Sequence, residues 1–105
     1  MLKENKWYLI NRYIGESQGF TDYPEEPGNY AIYIVRNYLP LKTELVYIGT
    51  ASNLKNRLYR HEIKRVLLSL DYPLLSKCKI IRDKEKRMKN ESDLIKRLSP
   101  RINMV

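Results

Sequence analysis

Apolar and polar positions along the chain change period several times. Residues Tyr30–Arg36, "YAIYIVR", are rich in β-branched and aromatic side chains and predict a strand. Glu44–Gly49, "ELVYIG", predicts a second. The stretch between them contains Pro40 and reads as a connection, so the pair predicts an antiparallel hairpin. Alternation puts Ala31, Tyr33 and Val35 on one face of the first strand, and Leu45, Tyr47 and Gly49 on one face of the second. If those faces coincide, Tyr33 and Tyr47 are neighbours; the register itself stays open.

The period then lengthens. Ser52–Leu70 predicts a helix with Ser52 or Asn53 as N-cap. Tyr59, Ile63, Val66, Leu67 and Leu70 make its apolar arc, and Arg57, Arg60, His61 and Lys64 lie on a flanking arc. Lys77–Arg82 predicts a third strand, and Asp83–Leu98 a second helix that ends before Pro100. In that helix Glu91 falls inside the stripe formed by Met88, Leu94, Ile95 and Leu98. A carboxylate there is costly unless a cation or donors meet it. Three readings stay open: a ligand or catalytic group, a solvated first-turn residue of a helix starting at Asn90, or the structural partner of an arginine. The leader, residues 1–26, is ambiguous: Trp7, Ile10 and Ile14 suit a helix, while Trp7–Ile10 as a run suits a strand.

Length and charge narrow the classes. A chain of 105 residues predicts one domain with one modest core. No apolar run is long enough to span a membrane, and the charged, aromatic start does not resemble a secretory signal, so a cytoplasmic, non-secreted setting is expected. One cysteine, Cys78, excludes an internal disulfide, and one histidine excludes a histidine-rich metal site. The net charge of +8 is unevenly placed: residues 1–52 hold five Lys/Arg against six Asp/Glu, and residues 53–105 hold fifteen against six. A basic half suggests a polyanion partner, with nucleic acid the commonest; a cationic surface without a partner fits the same counts.

Five ordered elements carry more information: "AIY" (Ala31–Tyr33), "YIG" (Tyr47–Gly49), "NLKNRLYRH" (Asn53–His61), "ESDLI" (Glu91–Ile95) and "PRIN" (Pro100–Asn103). Together with the preceding "PGNY", their order and spacing resemble the GIY-YIG nuclease family over residues 27–103. The resemblance implies an α+β domain, a three-stranded antiparallel sheet flanked by helices, that cuts phosphodiester bonds in DNA with one Mg²⁺ or Mn²⁺ ion. Carried over, the motif tyrosines fall on Tyr33 and Tyr47, the helix arginine on Arg57, the histidine on His61, the metal-binding glutamate on Glu91, and the terminal asparagine on Asn103. Gly49 would permit the turn after the second strand. Arg57 would grip a phosphate oxygen, a tyrosine, with a slight preference for Tyr47, would activate water, and His61 would contact phosphate or relay a proton. DNA binding would fall to the basic helix, with Lys55, Arg60, Lys64 and Arg65, and to the lysine-rich segment Lys77–Lys89.

Two departures stand out. Ala31 occupies the place where the family's first motif begins with glycine, and Thr50 follows "YIG" where many members carry lysine. The expected activity is a DNA endonuclease of low sequence preference, structure-specific or directed by a homodimer or protein partner. The alternative is an inactive, basic nucleic-acid-binding module that keeps the fold.

Overall fold

A computed structural model describes residues 2–11, 23–59, 65 and 69–103. Its elements are β1 (Trp7–Asn11), β2 (Gly28–Tyr38), β3 (Leu41–Ala51), α1 (Leu54–Tyr59), β4 (Leu74–Ile80) and α2 (Lys84–Leu98). The strands form one antiparallel sheet in the order β1-β4-β2-β3. The α+β class stands, with four strands where the sequence reading expects three. The extra strand is the Trp7–Asn11 run of the leader, and its pairing with β4 settles that ambiguity in favour of a strand. A short half-apolar run cannot be told from a helix turn without the edge that it joins. Residues 12–22 of the leader, Ile14 among them, lie outside the described residues.

The hairpin is longer than predicted. β2 and β3 run on to Tyr38 and Leu41, leaving Leu39 and Pro40 as the connection, across a cis Leu39–Pro40 peptide. The core lies on one face of the sheet, where Tyr30, Ile32 and Ile34 of β2 pack with Val46, Leu54, Leu74, Cys78 and Tyr23. Burial pushes the Cys78 thiol up to about 12, so it stays a neutral core side chain.

Two loops are tied tightly to helices. The Asn53 side chain accepts from the Asn56 N–H at 3.1 Å and caps α1. The carbonyls of Glu26 and Pro24 accept from the N–H groups of Leu54 (2.9 Å) and Lys55 (3.1 Å). The proline-punctuated loop thus supplies acceptors for the helix start, whose first N–H groups have no partner within the helix. Asp83 caps α2 by accepting from the Lys86 N–H at 3.0 Å. The helix therefore begins well before Asn90, which removes the reading of Glu91 as a first-turn residue.

At the outer edge of β3, Asn103 accepts from the Ile48 N–H at 2.8 Å and donates to the Ile48 carbonyl at 2.9 Å. Ile102 N–H adds a bond to the Val46 carbonyl at 2.8 Å. The terminal asparagine therefore pins backbone at the sheet edge. Asn103→Ala strands both Ile48 groups and should cost about 1–3 kcal/mol in urea unfolding. Among the described residues no helix is long and apolar enough to cross a membrane.

Candidate functional site

Strand parity decides which tyrosines meet. The register pairs Tyr30 with Gly49 and Ile32 with Tyr47. Side chains two apart share a face, so Tyr30 and Tyr47 lie on the same side of the sheet, with ring centroids 6.0 Å apart. Tyr33 pairs with Leu45 and turns to the other side, where the Lys77 ammonium lies 5.3 Å from its ring centre. The expectation that Tyr33 and Tyr47 are neighbours is therefore corrected: the partner of Tyr47 is Tyr30. Alternation alone puts Tyr33 on the other side, and the register shift between Ile32 and Tyr33 sets Leu45 rather than Val46 opposite it. The signal was present in "PGNY". Read as Gly28-Asn29-Tyr30, the first motif has its glycine, and the apparent Ala31 departure disappears.

Both motif glycines serve close approach. No described glycine has positive φ, so Gly49 is an ordinary strand residue and does not make the expected turn. A Cβ at Gly49 would run into the ring tip and hydroxyl of Tyr30, and one at Gly28 would meet the Lys79 carbonyl and Leu54. Leaving out that carbon gives the Tyr30 hydroxyl its place. Gly49→Ala should displace Tyr30 and cost about 1–3 kcal/mol of stability, read from thermal unfolding.

The Tyr30 hydroxyl hydrogen-bonds with the side chains of Arg57 and Tyr47. Tyr30 is fully buried, and burial holds its phenol neutral far above the ordinary tyrosine range; Tyr47 reinforces this and Arg57 opposes it. Arg57 stands exposed on α1 beside a cleft of about 410 Å³, lined also by Thr50, Ala51, Ser52, Asn53 and Asn56. This lining is polar and carries no carboxylate, which suits an anion.

Glu91 comes from the middle of α2 and is partly buried. Its removal from water raises its pKa, while the nearby Arg57 charge pulls the other way. Asn29 helps to place this helix: its Nδ2 donates to the Arg87 carbonyl and to Asn90 Oδ1, both at 2.9 Å. Buried Arg87 reaches back to the Ile81 carbonyl at 3.2 Å. Adjacent residues of β2 thus serve both halves, Tyr30 meeting Arg57 and Asn29 holding the helix that carries Glu91. Lys55 and Arg65 are exposed. His61, Arg60 and Lys64 lie outside the described residues.

The architecture is similar to solved structures of one domain. The magnesium-bound N-terminal GIY-YIG endonuclease domain of UvrC from Thermotoga maritima matches at 26% identity and TM-score 0.58, over 85% of this chain and 98% of that one. A tyrosine-to-phenylalanine variant of the same domain, bound to its catalytic divalent cation, matches at 26% identity and TM-score 0.59, over 85% and 97%. No family model matches the chain, and no curated protein matches it significantly in sequence. The antiparallel α+β sheet with its helices matches the fold of that endonuclease domain. The chain is a member of the GIY-YIG fold.

Proposed function

We infer that the chain is a metal-dependent DNA endonuclease. The observation that carries this reading is the meeting of Tyr30, Tyr47 and Arg57, from three elements, with Glu91 within electrostatic reach of Arg57. The likeness to a metal-bound endonuclease domain supports it.

The residues fit one hard divalent cation. Among the described residues no group of three His, Cys, Asp or Glu gathers. A single desolvated carboxylate suits Mg²⁺, which is commonly held by one or two carboxylates with water and phosphate filling the rest. Glu91 would hold it, and a cation there would offset the cost of keeping that carboxylate from water. When bound, such an ion polarises phosphate and lowers the pKa of water. Arg57, exposed at the cleft, would take a non-bridging phosphate oxygen with its planar donor fork. Tyr30, held neutral, is a donor and a poor base. The general-base role therefore falls to Tyr47, with Tyr30 as its hydrogen-bonding partner. The net charge of +8 supports a DNA substrate through phosphate contacts of low sequence content.

The raised Glu91 pKa sets the pH dependence. Metal binding needs the carboxylate, so Mg²⁺ affinity should fall on acidification from a higher pH than for an ordinary carboxylate, approaching about ten-fold per unit well below the pKa. Calorimetric Mg²⁺ titration across mildly acidic pH checks this. The decisive comparison incubates plasmid and branched DNA with Mg²⁺ and either the parent or Glu91→Ala. Nicking by the parent alone supports the reading. DNA binding with no nicking by either protein favours the idle binding module.

A further inference from the structure

The sheet has a second face: at one end Asn29 holds α2 there, and towards Tyr33 and Leu9 it is open. Register places Trp7 and Leu9 of β1 beside Lys79 and Lys77 of β4, with Tyr33 of β2 next to them. Tyr30 and Tyr47 point the other way. On this face the Lys79 ammonium lies 5.6 Å from the Trp7 ring centre, and the Lys77 ammonium 5.3 Å from that of Tyr33. Leu9 is 52% exposed and Leu41 59%. A groove of about 250 Å³ runs between Leu9, Tyr33, Leu41, Thr43, Leu75 and Lys77. Among the described strand residues of this face there is no Asp or Glu.

We propose that this face binds single-stranded nucleic acid, with phosphates on Lys77 and Lys79 and bases against Trp7, Tyr33 and Leu9. Charge and the half-buried rings choose the occupant together. A second copy would bring like charges together: Lys77 and Lys79 would face their own counterparts with no acid on either side. A duplex satisfies the lysines but keeps its base faces stacked inside, leaving the rings and Leu9 unused. An unpaired strand uses both, since any base has a face to lay on an aromatic ring. The cation–ring contacts hold each ammonium beside the surface on which a base would lie.

The surface stands apart from the nuclease reading, because an idle chain would bind here equally well. The test uses the full chain in chelator, so that nothing is cut. Fluorescence anisotropy measures binding of a short oligothymidylate and of a duplex. Trp7→Leu and Tyr33→Leu should each weaken the single strand about ten-fold and the duplex less than about two-fold. Lys77→Gln with Lys79→Gln should lower the salt slope for the single strand by about 1.4. Circular dichroism confirms folding; if Trp7→Leu unfolds, Tyr33→Leu and the half-buried lysine pair carry the test. Unchanged single-strand affinity in the ring variants overturns the proposal. So does equal loss on the duplex, or a parent dimer in sedimentation that the lysine pair variant tightens.

Discussion

Tyr30→Phe is expected to lower cleavage by about 10²–10⁴-fold, and Tyr33→Phe by less than about three-fold, in a single-turnover assay at saturating protein. The two tyrosines are three residues apart on one strand, yet only Tyr30 shares hydrogen bonds with Tyr47 and Arg57. Phenylalanine keeps the ring in both cases, so the core around Tyr30 is retained and the loss reports the hydroxyl alone. Without it Tyr47 loses its neutral partner and Arg57 one of its acceptors. The opposite ranking, with Tyr33→Phe inactive and Tyr30→Phe active, would return the first motif to "AIY" and discard the site described above.

Glu91→Gln is expected to abolish detectable cleavage and Mg²⁺ binding while leaving stability within about 1 kcal/mol of the parent, on the stabilising side. Burial raises the pKa of Glu91 in the folded state. Its protonated form is therefore the one that folding favours. That contribution is fully present below the unfolded-state pKa and is lost as pH rises through the higher folded-state value. Glutamine removes the charge that is costly to bury, so the dependence of stability on pH should flatten in that window. Chemical unfolding at several pH values, without metal, measures it. A large loss of stability at neutral pH would instead make Glu91 a structural ion-pair partner of Arg57, the reading that the helical pattern alone leaves open.

The particular elements explain what could be read beforehand. β2, β3, β4 and α2 announce themselves through β-branched runs and a helical stripe, all local signals. The odd carboxylate in that stripe was legible because its cost is local too. The tyrosine pairing was not. It depends on the register that sets Ile32 opposite Tyr47, which puts Tyr30 and Tyr47 on one face, and only cross-strand geometry reveals that. Reading the motif three residues late picked a tyrosine that lies on the face away from Tyr47, and with it a departure at Ala31. Gly49 shows a similar limit: its missing Cβ matters because of the Tyr30 ring opposite, not because of its own backbone. β1 was half-visible, since a five-residue strand gains its stability from the partner edge. The basic patch on the helix after Arg57 remains a sequence expectation, with His61, Arg60 and Lys64 outside the described residues.

The anchoring of both halves of the site on Asn29 and Tyr30 has a consequence for how activity fails on heating. These two residues are fully buried and sit mid-sheet, paired on both sides by β3 and β4. Their amides should be among the slowest to exchange with solvent hydrogen, opening only when the whole sheet does. On the proposed nuclease reading, these two anchors would open only with the sheet, so cleavage lost below the unfolding transition would report the loosening of α1 and Arg57 rather than of Asn29 or Tyr30.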